Sequence, residues 1–164
     1  MRRILVTGMS GTGKSSALAE LERRGFRVVD MDSPEWSEWV PAADRGEAGE
    51  WVWREDRVAG LLAEPGAGTL YVSGCASNQG TFYDRFEAVV LLSAPAEVIL
   101  ERVVTRTTND WGQGPGERAL ILFDLETVEP LLRATCTHEL DASRPLEEVV
   151  DALAEIAQES RSTR

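Results

Sequence analysis

A glycine-rich segment near the N-terminus has the residue types and the spacing that bind a phosphate chain. It fits the pattern G-x-x-x-x-G-K-[ST] between a candidate strand and a candidate helix. Glycines let the backbone turn so that its N–H groups point inward, and a following helix adds the positive end of its dipole to the same anion site. We expect Lys14 to reach the outer phosphates of ATP and the Ser15 hydroxyl to bind Mg²⁺. Unless the segment is a glycine turn that binds nothing, its ATP-binding residues are Gly8, Ser10, Gly11, Thr12, Gly13, Lys14, Ser15 and Ser16.

Two aspartates follow the second apolar run of the chain. Asp30 and Asp32 are separated by one residue, so in an extended segment both carboxylates project from one face at the carboxyl edge of the sheet, where ligands of such folds bind. Asp30 is predicted to hold Mg²⁺ together with Ser15, and Asp32 to accept the proton of an attacking hydroxyl. A pair of solvated loop aspartates is the alternative.

Two arginines precede a stretch that is rich in glycine and proline. Arg102 and Arg106 lie four residues apart on a predicted helix and therefore project from one face. The stretch, residues 107–117, is a candidate lid that would close over the transferring group and exclude water. Arg106 is predicted to spread positive charge over that group and Arg102 to bind ATP. A surface ion pair stays an alternative for Arg102.

Short apolar runs predict the strands that position these residues. The runs lie at 3–6, 26–29, 70–73, 88–92 and 137–140 and mostly lack alternation, which is typical of strands covered on both faces. Helical patterns lie between them; Gly25 ends the first helix, and Ser143 is a candidate N-cap of the last. This alternation predicts a three-layer, doubly wound α/β fold with a five-stranded parallel sheet. We expect one domain over residues 1–158, a frayed tail at 159–164, and irregular segments at 33–48 and 107–116.

The composition argues against several kinds of partner. The 164 residues include 17 Lys and Arg against 28 Asp and Glu, and the formal charge of −11 repels a nucleic acid backbone. No apolar run is long enough to span a bilayer. Cys75, Cys136 and the single His138 lack the spacing of a zinc site, so we expect reduced, packed thiols. We therefore expect a cytoplasmic protein without nucleic acid or membrane partners, whose oligomeric state the sequence leaves open.

Taken together, these features resemble the small P-loop kinases, the superfamily that includes nucleoside monophosphate kinases, shikimate kinase and gluconate kinase. The resemblance covers nearly the whole chain and implies the P-loop NTPase fold. In the shikimate kinase branch, an aspartate pair after strand two holds metal and acceptor, and an arginine in a pattern like that of residues 49–54 holds an anionic group of the acceptor. By that likeness Arg54 would bind the acceptor. The loop formed by Ser143, Arg144 and Pro145 resembles the segment on which those kinases seat adenine.

Departures from the family patterns leave the acceptor open. Where shikimate kinase has three consecutive glycines after strand three, this chain has residues 74–80, of which Asn78 and Gln79 are predicted to contact the acceptor. The region after the lid, residues 123–128, lacks the second acceptor-binding arginine of that branch. Strand three is also not followed by the segment typical of adenylate kinases, so neither shikimate nor a standard nucleoside monophosphate is indicated.

Four of the five tryptophans lie between the second and third predicted strands, the region that builds the acceptor site in this superfamily. Trp36 and Trp53 are predicted to contact the acceptor, because aromatic rings stack on flat or sugar-like molecules at low entropic cost. Trp36 and Trp39 would be one turn apart on a helix. Packing in the core is the alternative for both acceptor candidates and the expectation for Trp51. Trp111, in the candidate lid, would close over ATP or anchor a hinge.

The sequence therefore predicts an ATP- and Mg²⁺-dependent phosphotransferase that acts on a small molecule. A nucleotide-binding regulatory module or slow ATPase without a small-molecule acceptor is the alternative. A GTP-dependent switch is disfavoured because the chain has no N-K-x-D segment to read the base.

Overall fold

The computed structural model describes residues 1–41, 49–107 and 110–159 of the chain. This part contains seven strands and six α-helices, with a short 3-10 helix at Gln79–Arg85. The strands are β1 (Arg2–Thr7), β2 (Arg27–Asp30), β3 (Ser37–Pro41), β4 (Gly49–Trp53), β5 (Thr69–Ser73), β6 (Ala88–Ser93) and β7 (His138–Asp141). The α-helices are α1 (Lys14–Arg23), α2 (Glu55–Ala63), α3 (Ala96–Thr105), α4 (Pro115–Thr127), α5 (Glu129–Thr135) and α6 (Leu146–Glu159).

A five-stranded parallel sheet forms the centre of the fold, in the order β2-β5-β1-β6-β7. Strand β1 pairs with β5 on one side and β6 on the other, so that Ile4 lies opposite both Tyr71 and Ala88. Ile4, Leu5 and Val6 are completely buried, and burial of each such side chain contributes about 1.5–3 kcal/mol. The sheet predicted from the apolar runs is confirmed, with each strand within two residues of its predicted bounds.

Helices cover both faces of the sheet and give the predicted three layers. On one face, Leu21 of α1 and Leu153 of α6 pack in the same core as Ile4. On the other face, Val58 of α2 packs in a second core with Leu5, because successive side chains of β1 point to opposite faces. None of the helices in the three described ranges is long and apolar enough to cross a membrane.

The last helix differs in detail from its prediction. Helix α6 begins at Leu146, so Ser143 does not occupy its N-cap position. The Ser143 hydroxyl instead donates to a carboxylate oxygen of Asp141 at 2.5 Å, and the Ser143 N–H donates to the same oxygen at 2.9 Å. Glu159, which was predicted to start the frayed tail, ends α6, and residues 160–164 lie outside the described residues.

The predicted irregular segment at 33–48 contains part of a β-hairpin instead. Strands β3 and β4 pair antiparallel, with Trp39 opposite Trp51, and form a separate two-stranded sheet. Residues 42–48 of the segment lie outside the described residues. The expected helical spacing of Trp36 and Trp39 is therefore wrong, because Trp39 belongs to a strand and its ring contacts the opposite strand rather than the next turn of a helix.

Candidate active site

The loop between β1 and α1 has the backbone conformation that its glycines permit. Gly11 and Gly13 have φ values of +85° and +92°. A Cβ on Gly11 would lie 2.8 Å from a methyl carbon of Val103, and one on Gly8 would lie 2.4 Å from the Leu92 carbonyl oxygen. Both contacts are too short for any side chain, so the loop can approach α3 and β6 this closely only with glycine at these positions.

Lys14 is folded back over this loop. Its ammonium group donates to the carbonyl oxygens of Gly8 at 2.6 Å and Met9 at 3.1 Å, and only 9% of the residue is exposed. The Thr12 hydroxyl also donates to the Met9 carbonyl, at 2.8 Å. The cation is thus held at the mouth of the loop, where a phosphate chain would compete for it.

A cleft of about 610 Å³ opens over the loop. It brings together most of the residues predicted to bind ATP, the predicted base and the arginine predicted to stabilise the transferring group. These are Gly8, Ser10, Gly11, Thr12, Gly13, Lys14, Ser15, Ser16, Asp32, Arg102, Arg106 and Arg144. We call the part formed by residues 8–16 the P-loop end of the cleft.

The two aspartates after β2 have different surroundings. Asp32 lines the cleft, whereas Asp30 is not among the lining residues, and its carboxylate accepts the backbone N–H of Asp32 at 3.0 Å. Partial burial raises the pKa of Asp32, although its side chain is reachable from solvent, and the nearby carboxylate of Asp30 acts in the same direction. The ammonium of Lys14 opposes these effects. Asp30 therefore fixes the turn that presents Asp32 to the cleft.

The two arginines of α3 and its C-terminal cap lie above the P-loop. The Arg102 guanidinium lies beside Gly13, where a Cβ would be 3.9 Å from its Nη1. Arg106 donates from Nη2 to the Ser10 hydroxyl at 3.4 Å and to the Trp111 carbonyl. Its Nε has no partner among the described residues, and desolvation lowers its pKa. The guanidinium is therefore placed to bind an anion on the loop.

The candidate lid is partly ordered by its own side chains. One carboxylate oxygen of Glu117 accepts the N–H groups of Gly112 and Gly114 at 3.0 and 3.1 Å. Gly112, with φ +89°, is buried against Val103 and Ile121. Helix α4 begins at Pro115, so the predicted lid at 107–117 overlaps its first turn, and residues 108–109 lie outside the described residues.

Several residues predicted to contact the acceptor are used by the protein itself. The Asn78 side chain pairs with the backbone of Trp53: its oxygen accepts the Trp53 N–H at 2.9 Å and its nitrogen donates to the Trp53 carbonyl at 3.0 Å. Gln79 is buried and donates to Thr7 and Tyr83 at 3.2 and 2.7 Å. Neither residue lines the cleft.

The aromatic and basic candidates in the hairpin region also lie outside the cleft lining. Trp53 is 1% exposed and packs on Phe82, so its core alternative holds. Trp36 is half-buried against the same core. Arg54 pairs with Glu38 at 3.0 Å and also donates to the Pro34 carbonyl.

The expectation that Trp51 packs in the core is wrong, because 55% of it is exposed. Its ring meets Trp39 edge-on across the hairpin, with centroids 5.7 Å apart. Trp111 of the candidate lid is also largely exposed, at 45%.

The segment predicted to seat adenine contributes one charged side chain. Arg144 lines the cleft and forms an ion pair with Glu148 at 2.6 Å, while Ala142, Leu146 and Val149 add apolar surface beside it. Ser143 and Pro145 are not among the lining residues.

Two titratable residues of the cleft lining, Cys75 and Asp124, were not predicted as site residues from the sequence. Burial is the main cause of the raised pKa of the Cys75 thiol, and the carboxylates of Asp32 and Asp124 raise it further, so all three groups face one space. Burial also raises the pKa of Asp124. We call this group the carboxylate end of the cleft. The position of Cys75 just after β5 was a usable signal, whereas nothing local marked Asp124, which comes from α4.

Comparison with known proteins places the chain in a family. Residues 4–122, from β1 into α4, match the family model AAA_18, described as an AAA domain. The chain belongs to this AAA domain family. The AAA domain chain is also 32% identical over 148 residues to the nucleotide-binding protein sce5766 of Sorangium cellulosum strain So ce56, which covers 87% of this chain. It spans 40% of the length of that relative.

Solved structures confirm that this AAA domain has the fold of the small P-loop kinases. A shikimate kinase from Acinetobacter baumannii, in complex with shikimate, superposes with a TM-score of 0.66 at 16% identity, over 100% of this chain and 96% of the other. A gluconokinase from Sinorhizobium meliloti 1021 gives a TM-score of 0.63 at 25% identity, over 98% of this chain and 94% of the gluconokinase. The resemblance inferred from the motifs is therefore confirmed at the level of the superfamily.

Proposed function

We propose that this AAA domain protein transfers the terminal phosphoryl group of ATP to a hydroxyl group of a small molecule. The observation that supports this most is the presence of Asp32 in the same cleft as the P-loop and Lys14. A carboxylate beside the site of the γ-phosphate is what a kinase uses, because the attacking hydroxyl must lose a proton.

Three charged groups of the cleft, Lys14, Arg106 and Asp32, have a role in this reaction. The loop N–H groups and Lys14 bind the phosphates, and Arg106, 3.4 Å from the Ser10 hydroxyl, stabilises charge on the transferring group. The acceptor oxygen forms a bond to the γ-phosphorus while the bond from that phosphorus to the bridging oxygen breaks, and ADP leaves. The hydroxyl proton passes to Asp32, whose raised pKa makes it a better base than an ordinary aspartate.

The donor set of the cleft fits Mg²⁺ brought in with ATP. Mg²⁺ is usually held by few protein oxygens, by water and by the substrate phosphates. The Ser15 hydroxyl lines the P-loop end of the cleft and would give Mg²⁺ one protein oxygen, and the described residues contain no group of three or more His, Cys, Asp or Glu that could hold a metal by themselves. When bound, the ion would neutralise part of the charge on the phosphates. Asp30, the ligand predicted from sequence, would act through its hydrogen bond to the Asp32 backbone.

A nucleotide-binding module that regulates a partner is the second candidate. Its support is the Sorangium relative, whose name records nucleotide binding alone and of whose length this chain spans 40%. The two candidates differ in one measurable property, the transfer of phosphate to a small molecule.

The test combines nucleotide binding with a transfer assay. Lys14 is the only lysine of the chain, so an acyl phosphate of ATP should acylate one side chain, and Mg-ATP should block the reaction. A library of hydroxyl compounds is then followed by ³¹P NMR for a new phosphate ester. We expect ester formation that Lys14→Ala abolishes and Arg23→Gln, at the exposed end of α1, leaves intact. Protected Lys14 without any ester from the library would favour the regulatory module, and Lys14 acylation indifferent to ATP would contradict both candidates.

A further inference from the structure

The charges that line the cleft are unevenly distributed. Three arginines lie at the P-loop end or beside the adenine segment: Arg106 reaches Ser10, Arg102 lies beside Gly13, and Arg144 precedes α6. Lys14 marks the border, since its charge acts both on the loop carbonyls and on Asp32. Beyond it lies the carboxylate end, formed by Asp32, Cys75 and Asp124.

Two described arginines of the region between β2 and β5, where the sequence placed the acceptor, are engaged elsewhere. Arg54, which the family resemblance would assign to an anionic acceptor, forms its ion pair with Glu38 and donates to a backbone carbonyl. Arg57 donates to the Glu35 carbonyl at 2.7 Å. Neither Arg54 nor Arg57 is among the described residues that line the cleft.

Nucleotide binding would sharpen this asymmetry. The phosphates of Mg-ATP would take up Lys14 and Arg106, whereas Asp32 and Asp124 would keep facing the remaining space. An acceptor with a carboxylate or phosphate group would then bring a third negative charge into a partly desolvated pocket, where like charges repel more strongly than in water. An ammonium group there would be attracted and would find an acceptor for its hydrogen bonds.

We infer that the carboxylate end selects a hydroxyl compound without an acid group, and preferentially one with a protonated amine, as in an amino alcohol or an amino sugar. The inference rests on the proposed function. In it, Asp124 binds the ammonium group and Asp32 receives the proton of the hydroxyl that attacks the γ-phosphorus. The acids named for the structural neighbours, shikimate and gluconate, would be poor acceptors.

The thiol of Cys75 provides a test that needs no identified acceptor. Its rate of reaction with methanethiosulfonates that carry a trimethylammonium or a sulfonate group is measured in a Cys136→Ser background, with Mg²⁺ and a non-hydrolysable ATP analogue bound. Relative to a small free thiol, we expect the cationic reagent to be favoured by at least about tenfold, because electrostatic complementarity governs encounter at a charged cleft.

Substitutions assign the effect to the carboxylate. Asp124→Asn should reduce the preference for the cationic reagent several-fold, whereas Glu126→Gln, an exposed acid on the same helix outside the cleft lining, should leave it unchanged. A preference for the sulfonate reagent, or a preference that Asp124→Asn does not change, would overturn the inference. Slow reaction of Cys75 with both reagents, in the same ratio as a small free thiol, would also count against it.

A transfer assay with matched probes separates this inference from the proposed function. Glucosamine, glucose and gluconate share a carbon skeleton and differ in charge, as do serinol, glycerol and glycerate. We expect phosphorylation to follow the order amine, neutral compound, acid, and Asp124→Arg to shift it toward the acids. If an acid is the best acceptor of the wild type, the inference fails and the proposed kinase stands. If Lys14 is not protected by Mg-ATP, the proposed function fails first. If none of these probes is phosphorylated, the ratio of the Cys75 reaction rates with the two methanethiosulfonates decides the inference.

Discussion

The P-loop end of the cleft is made from one continuous stretch of chain, whereas the carboxylate end is assembled from the turn after β2, the turn after β5 and the last turn of α4. In the first, Lys14 bonds to carbonyl groups five and six residues away. In the second, Asp32, Cys75 and Asp124 are far apart in sequence and meet only when the sheet and α4 have packed. A site made locally can be inherited as a motif. A site made from distant segments can change its ligand through single substitutions while the motif stays the same.

The largest expected effect is on the rate of phosphoryl transfer, which depends on the carboxylate end, and not on ATP affinity, which depends on the P-loop end. Asp32→Asn should slow phosphoryl transfer by about 10²–10⁴-fold, because asparagine cannot take the proton of the acceptor. ATP affinity, measured by calorimetry, should change little, since the loop binds phosphates without Asp32. Asp30→Asn should slow transfer less, because it weakens only the hydrogen bond that positions the Asp32 backbone. Equal transfer rates for Asp32→Asn and the wild type would remove Asp32 from the mechanism.

The raised pKa of Asp32 adds a dependence on pH. Transfer should decline as pH falls through this raised value, so the acid limb of kcat/KM should lie above the ordinary range of an aspartate and be absent from Asp32→Asn. The change of the free energy of unfolding with pH has the opposite sign to that of a salt-bridged acid. The fold disfavours the ionised form, so stability falls as pH rises from the unfolded to the folded pKa. At neutral pH, Asp32→Asn should therefore melt no lower than the wild type.

The next effect concerns the packing that supports the P-loop end. Gly112→Ala should lower the free energy of unfolding by about 1–3 kcal/mol, because the new Cβ would lie 2.1 Å from Val103 and the backbone has positive φ. Urea denaturation measures this, and proteolysis within 107–117 should become faster. Gly116→Ala is the matched control, since its Cβ meets nothing within 4 Å. Equal stabilities of the two variants would show that the lid is not docked on α3.

A comparable loss of stability is expected at the hairpin, with no change in nucleotide binding. Asn78→Ala leaves the N–H and carbonyl of Trp53 without their partner and should cost about 1–3 kcal/mol of stability. Asn78→Asp, which keeps the oxygen that accepts the N–H, should fall between the alanine variant and the wild type. ATP affinity should stay unchanged in both, and a parallel loss of ATP binding would contradict the independence of the hairpin and the P-loop end of the cleft.

The smallest effect concerns the exposed tryptophan pair. Trp51→Ala should lower stability by about 0.5–1.5 kcal/mol beyond the loss of its buried area, through the edge-on contact with Trp39. A double-mutant cycle with Trp39→Ala isolates this contribution in urea denaturation. If either variant instead raises KM for an acceptor without a change in stability, these two rings contact the acceptor, which the sequence predicted for Trp36 and Trp53 instead.

The sequence predicted those features that depend on neighbouring residues. Each strand of the sheet is a short apolar run, and the glycines and Lys14 lie within one loop, so their roles were visible without tertiary information. The hairpin was missed because the three-residue spacing of Trp36 and Trp39 mimics a helical turn, whereas Trp39 in fact pairs across the hairpin with Trp51. Trp53 and Asn78 are of types that bind ligands, and only their mutual contact reveals a structural use. Asp124 was missed because it lines the cleft only through the packing of α4, which the sequence does not reveal.

The central position of β1 in the sheet has a consequence for the synthesis of the protein. Strand β1 ends at Thr7, but its two neighbours begin only at Thr69 and end with β6 at Ser93. A ribosome that adds ~5–20 residues per second needs roughly 4 to 17 seconds to make the intervening chain. The loop between β1 and α1 is therefore made well before the strands that flank β1, of which β5 is complete at Ser73 and β6 only at Ser93. Until β6 has been made, the loop cannot hold the conformation that brings Gly8 against the Leu92 carbonyl.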